Sequence, residues 1–260
     1  MRALDWLTAR PIAHRGLHDA QAGVIENTPS AFAAAIAADC AIETDVQITA
    51  DGEAMVHHDF ALGRLTFGSR QLAAMTAAGL KDVPFKATTD RMITLSELCE
   101  LVGGRVALFV EVKSRFDGDL RLAARTAQVL ASYGGPAAAM SFDPDVVVAL
   151  REAAPRLARG IVAQRHYDDP EWDELKVAPG KRRSLAFLLH GCRTRPHFVA
   201  YDVDDLPSPG PFVARHLFGR PLLAWTVRTP EQRARAQRFA DQMIFEGLRP
   251  LRWDGAELAA

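Results

Sequence analysis

Val106-Ala107-Leu108-Phe109-Val110, running on into Glu111-Val112-Lys113, decides how this chain folds. Five apolar residues in a row, three of them β-branched or aromatic, leave the segment no polar face. A strand apolar on both faces belongs inside a parallel sheet, buried on either side. Polar residues then arrive at its end. Glu111 and Lys113 are two apart, so on a strand they share a face. A carboxylate and an ammonium group are poor choices for packing at the end of a buried strand. They suit a site where chemistry is done.

Outward from this run, strand-like and helix-like segments alternate. Upstream, a short apolar run over 11–14 precedes a helix opened by Thr28-Pro29-Ser30, with Thr28 as N-cap and Pro29 in the first turn. Strands are expected over 40–46 and 54–58, joined through Thr49-Ala50-Asp51-Gly52, whose Asp-Gly pair signals a tight turn. The stretch 62–91 is irregular, carries Gly63, Gly68, Gly79 and Pro84, and is too small to hold a core of its own. Thr94 and Glu97 form a capping box for a helix to about Val102. Downstream, helices over 119–132, 144–153, 183–190, 209–217 and 230–239 alternate with strands over 137–141, 157–163, 197–202, 222–227 and 242–246. The expected architecture is α/β. It is a closed (β/α)8 TIM barrel in one domain over 1–260, with a short irregular excursion after the second barrel strand. A doubly wound open sheet is the alternative, weakened by the lack of a GxGxxG after the first strand.

Hydrophobic residues at 48% and charged residues at 24% allow a sizeable core. A formal net charge of −1 gives no electrostatic case for nucleic acid or for an anionic membrane. Lys181-Arg182-Arg183, beside Pro179-Gly180, reads as a solvated turn. Cys40, Cys99 and Cys192 are odd in number and widely spaced, which fits reduced thiols rather than a disulfide framework or a zinc site. Asp5 interrupts the N-terminal stretch where a signal peptide needs apolar residues, and no run of about 18 apolar residues occurs. No amphipathic or basic helix is evident either. The expectation is a cytoplasmic protein without stable membrane association, acting on a small molecule, its oligomeric state unspecified.

Polar residues recur at the ends of successive segments: His14 and Arg15, Glu43 and Asp45, His58 and Asp59, Glu111 and Lys113, then Trp225. In a barrel such ends converge on one mouth. Glu43 and Asp45 share a face, and with Glu111 they would make an all-oxygen, three-carboxylate site suited to Mg²⁺ or Ca²⁺ rather than zinc. Alone, the pair could equally be surface carboxylates on an edge strand. Histidine as a residue type titrates near neutrality, so of His14 and His58 one could take a proton from an attacking oxygen while the other gives one to a leaving alkoxide. His57, next to His58, should point to the opposite face. Arg15 and Lys113 are the cations available for a phosphate, although Lys113 could also pair with Glu111. Glu26-Asn27 reads as a site element or only as a cap for the helix that follows.

These motifs resemble the glycerophosphodiester phosphodiesterase family. His14-Arg15-Gly16, Glu26-Asn27-Thr28, Glu43-Thr44-Asp45-Val46-Gln47, Thr49-Ala50-Asp51-Gly52 and His58-Asp59 follow its N-terminal signature in order. Glu111-Val112-Lys113, Ser141-Phe142 and Trp225-Thr226-Val227 are similar to its later motifs, so the likeness runs from about 11 to 250. The resemblance implies a (β/α)8 barrel that hydrolyses glycerophosphodiesters to glycerol 3-phosphate and an alcohol with one divalent cation, Mg²⁺ or Ca²⁺. It implies Glu43, Asp45 and Glu111 as metal ligands, His14 and His58 as the acid–base pair, Arg15 and Lys113 at the phosphate, and Trp225 as a pocket wall. Phe245-Glu246-Gly247-Leu248-Arg249-Pro250 departs from the Thr-Asp pair that many members carry before a proline, and Glu246 stands where that aspartate would be a structural anchor. The alternatives are a phospholipase D-like lyase that stops at a cyclic phosphate and a non-catalytic phosphodiester-binding protein on the same scaffold.

Overall fold

The computed structural model describes residues 4–168 and 170–248. Readings that touch Asp169, Arg249 and Pro250 lie outside the described residues. In chain order the elements are β1 (Ile12–Ala13), α1 (Pro29–Ala37), β2 (Ala41–Ile48), β3 (Ala54–Val56), α2 (Ala77–Lys81), α3 (Leu95–Val102) and β4 (Leu108–Val112). Then come α4 (Arg121–Ser132), β5 (Ala137–Ser141), α5 (Pro144–Ala153), β6 (Ala158–Ala163), α6 (Pro170–Glu174), α7 (Pro179–Ala186) and α8 (Gly191–Thr194). The series closes with β7 (Phe198–Asp202), α9 (Pro209–His216), β8 (Leu222–Val227), α10 (Pro230–Phe239) and β9 (Gln242–Phe245).

Among the described residues, eight parallel strands form a ring in the order β1, β2, β4, β5, β6, β7, β8, β9, closed by pairing of β1 with both β2 and β9. This is the (β/α)8 barrel. Alternation along each strand sends one set of side chains inward and the next outward. Phe109 of β4 meets Phe198 of β7 at 5.8 Å between ring centroids, a contact that crosses the barrel interior because β5 and β6 separate the two strands. Gly160 of β6 makes room for the second ring, since a Cβ there would lie 2.3 Å from it. The outward residues Val110, Ala139, Ile161 and Val199 pack under the helices in a separate buried cluster.

Three local expectations change. The segment 54–58 is a strand only to Val56, and it runs antiparallel to the outer half of β2, as a hairpin arm rather than a barrel strand. Because the arm doubles back, it returns His57 N–H to Asp45 O at 3.1 Å and sets His58 beside the barrel mouth. The excursion over 62–91 has an apolar cluster after all, built from Leu62, Leu72, Leu80 and Phe85 with Ile25 and Met55 borrowed from outside it. The helix expected over 183–190 begins at Pro179 and ends at Ala186: Pro179 fits a first helical turn, so the basic run lies in α7 and not in a turn.

Candidate active site

Strand register assembles the carboxylates. Asp45 of β2 sits directly beside Glu111 of β4, and Glu43 lies one inward-facing position earlier on β2. One oxygen from each of Glu43, Asp45 and Glu111 can be chosen so that all lie within 4.8 Å of one another, and all three residues are buried. Two cations lie against them: Lys113 Nζ is 2.9 Å from Asp45 Oδ1 and 2.7 Å from Glu111 Oε1, and Arg15 Nε is 3.3 Å from Asp45 Oδ2. Lys113 thus makes the ion pair with Glu111 and also lines the mouth.

Three negative charges against two positive ones leave an excess that burial makes costly. Glu43 bears it. Its pKa is raised well above the usual carboxylate range by burial and by the fields of Asp45 and Glu111. Burial works in the same direction on Asp45, but Lys113, His58, Arg15 and His14 together pull its pKa well below the usual value. Glu43 Oε1 is buried and has no hydrogen-bond partner among the described residues. By the chemistry of its donors, an orphaned carboxylate oxygen beside two more carboxylates could hold a hard cation.

Arg15 and Gly16 follow β1 in left-handed conformations, with φ of 56° and 80°. That turn aims the Arg15 N–H at Glu43 Oε2, 3.1 Å away, and its guanidinium at Glu26 Oε1, 2.7 Å away. Gly16 tolerates no side chain, because a Cβ would lie 2.9 Å from the backbone carbon and Cβ of Ala31 at the start of α1. Glu26 also accepts from Arg64 Nη2 at 2.7 Å. Burial raises the Glu26 pKa, but its bonds to Arg64 and Arg15 more than offset that and hold it at about 2. Asn27 donates to Asp45 Oδ2 at 2.9 Å and accepts from Thr44 Oγ1 at 2.7 Å, while Thr28 caps α1. Glu26 and Asn27 are site elements, and the cap belongs to their neighbour.

Each histidine is anchored through Nδ1 by a carboxylate. His14 meets Glu246 Oε2 at 2.6 Å, and His58 meets Asp59 Oδ1 at 2.8 Å. The other oxygens of those acids are held by arginines, Glu246 Oε1 by Arg228 Nε at 2.6 Å and Asp59 Oδ2 by Arg64 Nε at 2.7 Å. Burial lowers the His14 pKa, and Glu246 restores only part of it. His57 is 2% exposed and stands apart from the cavity.

A cavity of about 600 Å³ opens over this cluster, lined by His14, Arg15, His58, Glu111 and Lys113 on one side. Its far wall is aromatic and acidic: Phe116, Phe142, Trp172 and Trp225, with Asp202 and Asp204. Phe142 stands edge-on to Trp225 at 5.5 Å and to Trp172 at 5.2 Å. Arg182 fixes the segment around α6 that presents Trp172 by donating to the carbonyls of Tyr167, Trp172 and Val177. Burial raises the Asp202 pKa to about 6. Every site residue expected from the sequence thus meets at one mouth, with Glu43 and Asp45 beneath its floor. Glu26, Asn27, Asp59, Arg64 and Glu246 join them as second partners. Trp172 left no signal in the sequence, because its place depends on how the segment that holds α6 folds back.

Residues 14–248 match the model of the Glycerophosphoryl diester phosphodiesterase family. The chain belongs to that family. A glycerophosphodiester phosphodiesterase of Caldanaerobacter subterraneus subsp. tengcongensis is 38% identical over 112 residues, a match that spans 40% of this chain and 44% of that relative. Among solved structures, an Oleispira antarctica phosphodiesterase in complex with the product sn-glycerol-3-phosphate superposes with a TM-score of 0.74 at 19% identity, covering 92% of this chain and 93% of that one. Glycerophosphodiester phosphodiesterase from Thermotoga maritima gives 0.66 at 24% identity, over 90% and 92%. At these identities the two structures speak for a shared barrel.

Proposed function

We propose that this chain, as one barrel unit, is a metal-dependent phosphodiesterase that hydrolyses glycerophosphodiesters to glycerol 3-phosphate and an alcohol. The observation that carries this reading is the buried carboxylate triad with its orphaned oxygen, set below two carboxylate-anchored histidines and two cations at one cavity. Family membership and the sn-glycerol-3-phosphate held by the Oleispira antarctica protein support the substrate class.

Glu43, Asp45 and Glu111 would hold one divalent cation, and an all-oxygen set of this kind suits Mg²⁺ or Ca²⁺. Such an ion, when bound, supplies stabilisation of charge developing on the phosphate oxygens. Arg15 and Lys113 bind those oxygens directly, the first through a planar fork and the second as a point charge. His14 and His58 carry the two proton transfers. With Nδ1 of each engaged by Glu246 or Asp59, Nε2 is the nitrogen left to exchange a proton with the substrate. Either carboxylate also steadies the imidazolium that forms. The Trp225 indole N–H, buried and without a partner among the described residues, is available to the bound diester.

The aromatic and acidic wall takes the leaving alcohol and favours a cationic head such as choline or ethanolamine, because aromatic faces and nearby carboxylates both attract an ammonium group. A cytoplasmic setting fits the three unpaired cysteines. No helix among the described residues is long and apolar enough to cross a membrane.

The test is ³¹P NMR of purified protein with glycerophosphocholine and glycerophosphoglycerol. The expected result is conversion to glycerol 3-phosphate, faster for the choline diester. Accumulation of a cyclic phosphate would turn the reading to a lyase, and no conversion of any diester would end it.

A further inference from the structure

Eight large hydrophobic side chains are exposed among the described residues, and six of them fall between 187 and 218: Phe187, Leu189, Phe212, Val213, Leu217 and Phe218. Scattered single exposures are ordinary, but this concentration is not. Four of the six border a second cavity of about 770 Å³ between α7–α9 and the outer side of β6 and β7. Its floor reaches Ile161 and Val199, each 1% exposed, in the layer between strands and helices. Arg195, Pro196 and Arg220, which line it, precede β7 and β8. The cavity therefore lies toward the N-terminal strand ends, away from the catalytic mouth.

Its polar lining has one sign. Arg183, Arg195, Arg220 and His190 border it, and no carboxylate among the described residues does. Beside it, Arg159 shares the outward face of β6 with Ile161 and is only 7% exposed. Its Nε and Nη1 are buried and have no partner among the described residues. Burial, with repulsion from Arg151, Arg220 and Arg195, lowers the Arg159 pKa. His190 is 9% exposed and likewise has both ring nitrogens buried and unpartnered. Unmet donors in a buried arginine are costly unless something supplies acceptors.

We propose that this groove binds an anionic amphiphile, its alkyl chain laid along Ile161, Val199, Val213 and Phe218 and its phosphate or carboxylate head held by Arg159, Arg195 and Arg220. The volume suits one ligand of that size. A flat bilayer could meet the exposed phenylalanines but could not reach Arg159 or Val199, so a single molecule fits better than a membrane surface. No amphipathic helix announces the site in the sequence, because the apolar residues come from three short segments that only the fold brings together.

Cys192 lines the groove and is the exposed one among the three cysteines, which makes it a reporter. The full chain is titrated with dodecyl phosphate below its micelle concentration, following heat by calorimetry and the rate of Cys192 modification by a thiol reagent. The expected result is saturable binding of one molecule that slows modification. Arg195→Ala, at an exposed position, and Arg220→Ala, at a half-buried one, should each weaken binding about tenfold, as loss of a charge-assisted contact implies. Phe218→Ser should weaken it as well. Dodecyltrimethylammonium and inorganic phosphate should not bind. Equal binding of the cationic and anionic detergents, no protection of Cys192, or binding only to phosphatidylglycerol vesicles and never to monomers would each overturn the proposal.

Discussion

Glu246 offers the sharpest perturbation of the catalytic reading. Its Oε2 lies 2.6 Å from His14 Nδ1, and its side chain is 23% exposed, so the contact is neither solvent-screened nor deeply buried. In Glu246→Gln the amide oxygen can keep the geometry and the tautomer while the charge is lost. A hydrogen bond to a charged group contributes about 1.5–3 kcal/mol, against about 0.5–1.5 kcal/mol for a neutral one. The difference, about 1–2 kcal/mol, is felt when His14 carries a proton in the transition state, so turnover should fall about 5- to 30-fold. The Arg228 contact on the other oxygen sits at the rim and adds little. His14→Ala, which removes the proton carrier itself, should cost about 10²-fold or more. The assay is kcat at saturating glycerophosphocholine, with a melting curve for each variant. A Glu246→Gln turnover within twofold of wild type would refute the argument that this carboxylate supports His14.

Other outcomes follow from the same geometry. Glu43→Gln relieves the repulsion among three buried carboxylates, so the metal-free variant should melt higher than the metal-free wild type while losing activity; a lower melting temperature would count against a charge-burdened Glu43. Gly16→Ala places a Cβ 2.9 Å from Ala31 at a positive φ and should destabilise by about 2 kcal/mol or more, read from denaturant midpoints; an unchanged midpoint would show that α1 can yield. His190 and His197 are held at about 4 by burial, against 6.5 in the unfolded chain. Between those values the unfolded state binds more protons, so their contribution is full above pH 6.5 and is lost as pH falls toward 4. His190 alone accounts for roughly 2–3 kcal/mol, and the more exposed His197 for less. His190→Phe should therefore flatten the acid side of the melting-temperature profile, and parallel profiles would rule this out.

The barrel was legible because its strands are short apolar runs with polar ends, and Val106–Lys113 shows both features in eight residues. Glu43, Asp45, Glu111 and Lys113 were legible because spacing of two on a strand fixes a shared face. What adjacency could not reveal is register: Asp45 opposite Glu111 is a fact of pairing between strands more than 60 residues apart. Glu26 and Asn27 stayed open between site elements and cap residues because the side-chain contacts that define them reach Arg15, Arg64 and Asp45 through the fold. Pro179-Gly180 looked like a turn because the pair signals turns, yet proline also begins helices, and α7 uses it so.

The most direct test of the central claim is the rate of glycerol 3-phosphate release from glycerophosphocholine after EDTA treatment and again after adding Mg²⁺ or Ca²⁺. Wild type, Asp45→Asn and His58→Ala are measured side by side. The account predicts loss of wild-type activity with chelator, recovery with the cation, no recovery for Asp45→Asn, and a rate at least about 10²-fold lower for His58→Ala at any metal concentration. Full wild-type turnover in EDTA, or near-normal turnover of either variant, would contradict it.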